Sequence, residues 1–463
     1  VTVSPAAGIE FDVHVPVVIV GAGAAGHVAA LACRDAGADC AMLERDAVPQ
    51  GSTALSSGLV PAAGTSFQRA KGIDDDPARF AADIMRKAKG EADPVLVETL
   101  ARGIGPTLEW LAASHGVPFD VLKGFVYPGH GAMRMHGTPR RTGAELMSAL
   151  VRAAEAAGAL TLTQAHVDGL FAEPDGTVRG VAIARPDGTR ERIGCDALVL
   201  ACNGFGGNRD MVARFLPEMR DALFFGHAGN RGEGIAWGEA LGAAVRHMGA
   251  YQGHGSVAVP HGILITWAVM MEGGIQVNAN GDRFSNEHQG YSEQSVAVLS
   301  QPGGIAYDVY DRRCHEIALQ FDEYREAVAT GAVREFADVE ALAAAFGLPP
   351  DNLRRALAMT QGREPDAFGR DLVAKPPLAP PYFAVRVTGG LFHTQGGLVV
   401  DTGARVRRTD GTALPNLFAA GGTACGVSGP AVWGYLSGNG LLAAVGLGRI
   451  AGAGAAALAL RHA

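Results

Sequence analysis

The chain is poor in the residues that build several common redox and binding modules. It has only six cysteines in 463 residues. They stand at Cys33, Cys40, Cys195, Cys202, Cys314 and Cys425, and no two form a CxxC or CxxCH pattern. That spacing carries no haem-attachment, iron–sulfur or zinc signature. Scattered cysteines of this kind are expected to be reduced residues of a cytoplasmic protein. Positive charge is also short. Lys and Arg total 39 against 47 Asp and Glu, a net charge of −8, with no basic run. Nucleic acid is therefore not an expected partner. The opening residues VTVSPAAGIEFD have neither a basic n-region nor a long apolar h-region, so no secretory leader is expected there. One long run of small and apolar residues, 437–460, invites a membrane reading. Arg449 in its middle would cost roughly 2.5–3.5 kcal/mol at a bilayer centre. A buried helix packing through Gly and Ala is expected instead, with no stable membrane insertion.

Glycine, by contrast, is plentiful: 64 residues, without a Gly-X-Y period. Ordinary usage is near 7%, and a surplus marks places where backbone approaches a ligand or another backbone closely. Hydrophobic residues make up 48% and charged residues 19%, enough for a large core. At about 150 residues per domain the length allows roughly three units, or one large domain with an insert.

The first motif lies near the start. The apolar run 15–20 leads directly into Gly21-Ala22-Gly23-Ala24-Ala25-Gly26, then into a helical pattern, then into a second apolar run ending at Glu44. This order is strand, GxGxxG, helix, strand, acid. The first glycine permits the tight turn, the second admits a pyrophosphate and the third lets helix pack on strand. Free N–H groups and the helix dipole then favour the phosphates. Glu44 can accept hydrogen bonds from ribose hydroxyls. The motif predicts a dinucleotide without separating FAD from NAD. A second loop of small and hydroxyl residues, QGSTALSSG (50–58), favours the flavin. A later strand, 197–201, runs into CNGFGGN (202–208), and PNLFAAGG (415–422) precedes a long helix.

Taken in order, these pieces resemble flavoproteins of the fumarate reductase/succinate dehydrogenase type, including the 3-ketosteroid dehydrogenases. GAGAAG, the 50–58 loop, LACNGFGGN, the GEG of 232–234, GGIQVNANGDRFSNE (273–287), HTQGGLVVD (393–401), LFAAGG and GYLSGNGLL (434–442) carry the likeness across nearly the whole chain. The resemblance implies an α/β fold: a Rossmann-like FAD-binding domain with an inserted α+β capping domain. The expected division is 1–220 and 381–463 for the FAD domain and 221–380 for the cap, with KPPLAPPYF (375–383) leading back. FAD contacts are then expected from Gly21, Gly23, Ala24, Ala25, Gly26, Glu44, Arg45, Ser52, Thr53, Ala54, Ser57, Gly58 and Val167. Further contacts are expected from Ala201, Cys202, Asn203, Gly204, Asn208, Gly234, Gly421, Gly422, Ser437, Gly438, Leu441 and Leu442. No metal is expected. Membrane-complex members attach FAD through a histidine where this chain has Ser52, so the FAD is expected to be noncovalent. Gly422 stands where many members have a glutamate, which removes one contact to the ribityl chain.

Two further departures bear on the substrate. Dicarboxylate-reducing members hold substrate with arginines at two positions, one of which doubles as proton donor. Here those positions are Tyr291 and Tyr435. Guanidiniums bind carboxylates through paired, charge-assisted bonds, whereas a phenol offers one neutral donor. A doubly anionic substrate would lose its counter-charges and a neutral ketone would lose nothing. Tyrosines at these places, with Tyr435-Leu436-Ser437-Gly438, are similar to the Δ4-(5α)-ketosteroid dehydrogenases. The expected activity is therefore desaturation of the α,β carbon pair of a hydrophobic cyclic ketone, steroid-like or smaller, with an external electron acceptor. Tyr291 would be the base, and Tyr435 with Ser437 would polarise the carbonyl or relay the proton. An unperturbed phenol, with a pKa of about 10, is a reluctant base, so one of the pair would need a lowered pKa. Run backwards, the same groups make an enone reductase. A reductase of an unsaturated acid, a flavin-carrying subunit of a redox complex and a nicotinamide dehydrogenase are the rival readings. His393 matches a substrate-binding histidine of fumarate reductases, and His254 and Tyr127 are weaker candidates for the pocket. The final helix, starting near Ser437, would point its N-terminus at the flavin's pyrimidine edge. The apolar run 260–274 could face a ring or form a buried strand and turn.

Overall fold

The computed structural model describes residues 2–124, 126–362 and 366–461. Its first layer grows from the glycine turn. β1 (Val13–Val20) is buried over its last four residues. It ends at Gly21, whose φ of +100° and close approach to Ala201 exclude a side chain; a Cβ there would lie 2.6 Å from the Ala201 carbonyl oxygen. α1 (Ala24–Asp35) follows at once, and β2 (Cys40–Leu43) pairs with β1 in parallel. α2 (Pro94–His115) starts at Asp93, whose carboxylate accepts from the backbone N–H groups of Val95 and Leu96. β3 (Arg190–Leu200) organises this nine-stranded sheet. One edge pairs in parallel with β1. Along the other edge, residues 190–194 pair antiparallel with 180–184, and 198–200 pair in parallel with 417–419.

A second layer is built on a seven-stranded sheet. Its elements are β4 (Tyr251–Ala258), α3 (Tyr291–Leu299), β5 (Ile305–Asp311), α4 (Asp322–Ala329) and β6 (Tyr382–Thr394). β6 is central: β4 and β5 both pair with it antiparallel, Arg334–Phe336 joins antiparallel, and Leu223–Phe224 adds in parallel. The expected return to the first layer at residue 381 is therefore displaced. Residues 382–394 are hydrogen-bonded on both sides to cap strands, and the chain leaves that sheet only after Thr394. Each layer has its own apolar core, and Tyr291 and Tyr435 border that of the second.

The chain then completes the first sheet with β7 (Ala413–Ala419) and ends in α5 (Asn439–Ala459). Among the described residues, α5 is the one helix long and apolar enough to cross a membrane. It is a core helix. Cβ atoms at Gly448 and Gly452 would fall 2.7 and 2.1 Å from the carbonyl oxygens of Ala25 and Ala29 on α1. Arg449 lies over the Trp110 ring at 4.5 Å and donates to Thr107 Oγ1 at 3.3 Å, so its charge rests on α2.

Candidate active site

One cavity runs along the junction of the two layers, with an empty volume of about 1890 Å³. It takes in the glycine turn at one end and the two tyrosines at the other. The dinucleotide end is lined by Gly21 to Ala25 at the start of α1, by Glu44 and Arg45 after β2, and by the 51–58 loop. Gly23 caps α1 without a side-chain bond, and a Cβ there would meet only Thr53 Oγ1 at 3.7 Å. That Cβ would stand in the ligand's space. Glu44 is held by backbone: its carboxylate accepts from Ala22 N at 3.0 Å and Asp46 N at 3.1 Å. Arg45 is paired with Glu233 at 2.8 Å. The bare helix N-terminus, glycine cradle and anchored carboxylate suit the phosphates and ribose of FAD.

Most of the expected FAD residues line this cavity, including Ser52, Thr53, Ser57, Gly58, Val167, Ala201, Cys202, Asn203, Gly421, Gly422, Ser437, Gly438 and Leu441. Six do not: Gly26, Ala54, Gly204, Asn208, Gly234 and Leu442. Gly26 and Gly204 serve close backbone packing, against the Gly21 carbonyl and Thr394 Oγ1. Gly234 packs against Cys202 Sγ and Leu442 is core. Asn208 caps the following helix by accepting from Met211 N at 3.2 Å. At Gly422 a Cβ would fall 2.2 Å from Asn203 Oδ1. Asn203, at φ +67°, thus fills the space a glutamate would need. Ser52 Oγ accepts from Asn230 Nδ2 at 2.7 Å and from the His227 N–H at 3.1 Å, which fixes this loop against the residues entering the cap.

The other end of the cavity is lined by Tyr291, Tyr435, Ser437, His393, His254 and Tyr127. These come from four directions. His254 lies on β4, Tyr291 opens α3, His393 lies near the end of β6, and Tyr435 and Ser437 precede α5. The rings form a chain: His254 stacks on Tyr291 at 4.8 Å, Tyr291 meets Tyr435 at 6.1 Å, and Tyr435 meets His393 at 5.5 Å. Burial pushes the Tyr291 phenol up to about 12, although the facing hydroxyls of Ser437 and Tyr435 pull the other way. Burial, and then the Tyr291 neighbour, raises the Tyr435 phenol well above its ordinary value. Burial also lowers the imidazoles, His254 to about 3 and His393 to about 4. The expected tyrosine of lowered pKa is therefore not found; desolvation outweighs the helping hydroxyls. His254 Nδ1 accepts from Ser256 N at 3.1 Å. A backbone N–H can only donate, so the single proton of this neutral ring is on Nε2. Behind His393 stand Gln395, Ser428 and Asn439, joined by bonds of 3.1, 2.7 and 2.9 Å.

Several lining residues escaped the sequence reading. Trp267, Thr266 and Leu264 do come from the 260–274 run and face the cavity. Gln252 could have been found, since it lies two residues before His254 on one strand and so shares its face. Phe225, Phe392, Phe321 and Glu323 carry no local signal; the fold alone brings them here.

The comparisons place this geometry among known proteins. A family model described as FAD binding domain matches residues 16–441. A probable fumarate reductase of Shewanella frigidimarina is 31% identical over 456 residues, 96% of this chain and 75% of that protein. A urocanate reductase of Eggerthella lenta is 28% identical over 98% of this chain and 76% of its own length. Among solved structures, the open conformation of a flavocytochrome c3 fumarate reductase matches with a TM-score of 0.83 and 30% identity, covering 98% of this chain and 80% of that one. The 3-ketosteroid-Δ4-(5α)-dehydrogenase of Rhodococcus jostii matches with a TM-score of 0.77 and 26% identity, covering 98% and 99%. These findings overturn the expected desaturation of a cyclic ketone. The curated relatives are named for reduction of unsaturated acids, and both phenols here are held in the form that gives a proton, not the form that takes one. With its family model matched from the first strand to the start of the last helix, the chain belongs to the FAD-binding flavoproteins of fumarate reductase type and is an FAD-dependent oxidoreductase acting on CH–CH groups.

Proposed function

We propose that this chain reduces a carbon–carbon double bond conjugated to a carbonyl group, the class that spans unsaturated acids and enones. The observation that carries this reading is the buried pair Tyr291 and Tyr435, both neutral phenols on one wall of the cavity beside His254 and His393. FAD held by the glycine turn, Glu44 and the 51–58 loop would supply, when reduced, a hydride equivalent for the β-carbon of such a bond. Tyr291 gives the proton that the α-carbon then needs. The π bond is lost and two C–H bonds form: the hydride brings two electrons and one proton, and Tyr291 brings the second proton. Its phenolate is reprotonated through the facing hydroxyls of Tyr435 and Ser437. Negative charge collects on the carbonyl oxygen during this step, and preorganised donors stabilise it. The Nε2–H of His254 is such a donor, with its tautomer fixed by Ser256 N. The aromatic walls, among them Trp267 and Phe392, exclude water from the reacting carbons. The two electrons come from an external carrier.

The test is anaerobic. Holoprotein reduced with dithionite is freed of excess reductant and mixed with a panel of enones and unsaturated acids. Return of the oxidised flavin band with stoichiometric saturated product is the expected outcome. A reduced flavin that survives every member of the panel would sink the reading.

A further inference from the structure

The charged residues of the cavity are unevenly placed. Among its lining residues the one Lys or Arg is Arg45, at the dinucleotide end and already paired with Glu233. The substrate end has a carboxylate instead. Glu323, half-buried in the first turn of α4, lines the cavity beside Phe321 and Tyr324. It appears in no ion pair among the described residues. Burial raises its carboxyl above the ordinary value, and the like charge of Glu326 adds to this. α4 packs against residues 263–264, and Leu264 lines the cavity with Glu323. Glu323 therefore stands on a wall built from elements other than those that carry the ring chain of His254, Tyr291, Tyr435 and His393.

This carboxylate is held in place from the opposite layer. Arg140 donates to Asp322 at 3.3 Å and Arg141 to Gln320 at 3.1 Å, so the turn that carries Glu323 is tied to residues 140–141 of the FAD layer. Arg325, on α4 itself, pairs with Asp322 and donates to the Leu319 carbonyl, and none of these three arginines lines the cavity. The two imidazoles at the reacting end are neutral. An anionic substrate would find no counter-charge at either end and a like charge at one.

Resting on the double-bond reading above, we propose that Glu323 determines specificity: it selects unsaturated carbonyl compounds that are uncharged at the carbonyl end and carry a hydrogen-bond donor, a hydroxyl or a protonated amine, at the far end. Carboxylates are excluded by repulsion. Hydroxyl and ammonium share the donor chemistry, and the experiment separates them.

Reduced holoprotein is reoxidised anaerobically with four probes: a simple alkyl enone, the same enone with a terminal hydroxyl, the same with a terminal ammonium, and fumarate. Binding of each saturated analogue to the oxidised holoprotein is followed by the shift of the flavin band. The wild type should prefer the hydroxyl or ammonium enone to the parent by about tenfold in kcat/KM, the effect of about 1.4 kcal/mol from one charge-assisted bond. Glu323→Gln should erase that preference through KM, read as the ratio of the functionalised enones to the parent enone. Loss with the ammonium probe alone identifies a cation site; loss with both identifies a general donor site. Glu323→Lys should admit fumarate. Unchanged probe ratios in Glu323→Gln, or fumarate turned over by the wild type as well as the enones, would overturn the proposal while leaving double-bond reduction standing. Failure of all four probes with the wild type would remove both.

Discussion

At Tyr291 two effects compete. Burial favours the neutral phenol, and the hydroxyls of Ser437 and Tyr435 favour the phenolate; burial wins, with the pKa pushed up to about 12. Tyr291 is therefore protonated throughout the neutral range and serves as an acid. Tyr291→Phe should keep its flavin yet lose about 10²–10⁴ in the rate of reoxidation by substrate, the usual worth of a general acid. The same competition sets a pH dependence. An unperturbed tyrosine would titrate near 10, so a site using one would lose its acid above about pH 9. Here the rate should show no such fall between pH 7 and pH 10, and a midpoint near 10 would show the phenol to be ordinary. Ser52 supports a second residue-scale prediction. Its oxygen is engaged with Asn230 and the His227 N–H and offers no ring nitrogen for a flavin bond. Acid precipitation should release all the flavin into the supernatant, whereas a yellow pellet would show covalent attachment.

Among elements, the start of α5 matters most to the chemistry. Gly438 caps it at φ +86°, and a Cβ on Gly440 would fall 2.6 Å from His393 Nε2. The helix N-terminus and the imidazole of β6 thus touch only because residue 440 has no side chain. Gly440→Ala should displace His393 and raise KM about fivefold, as an off-rotamer side chain costs about 1 kcal/mol. Gly446→Ala is the control. Its Cβ would meet Leu100 Cδ2 at 2.6 Å, far along the same helix, and should lower Tm without touching KM. How much was legible beforehand follows from the same distinction between local and distant causes. The GxGxxG turn, the Glu44 strand and the SGNG helix start were readable because each is a backbone requirement met within a few residues. The place of β6 was not, since pairing with strands over a hundred residues away draws residues 382–394 into the cap sheet. Nor was the direction of the chemistry. The two tyrosines were found by position, but whether they give or take a proton depends on burial that only the assembled layers create. Glu323 looked like any acid in the first turn of a helix until the fold aimed it into the cavity.

For the whole molecule, the same burial predicts weakness toward acid. Nine histidines have their pKa lowered in the fold, each chiefly by burial: His27, His130, His136, His166, His247, His254, His288, His315 and His393. For four of them the folded value is about 3 or 4. Between those values and about 6.5 the unfolded chain binds protons that the folded chain refuses, so stability falls as pH falls through this window. Three carboxyls act in the opposite sense. Glu293 and Glu323 are raised and Asp308 is raised to about 7, so as pH falls each takes up its proton in the fold before the unfolded chain does. Asp308 is bonded to Ser256 and Gln276, and Glu293 to Lys87, so these groups offset the histidines without outnumbering them. Each uncompensated proton is worth about 1.4 kcal/mol per pH unit. The weakening centres on the seam between the layers, because His254 and His393 line the cavity and His130 holds the Ser437 carbonyl at 2.9 Å. Tm of the holoprotein should therefore drop steadily from pH 7 to pH 5, with flavin release in the same interval and before loss of helical signal. A Tm that stayed level or rose toward pH 5 would mean that the seam opens to water and lets these histidines charge without unfolding.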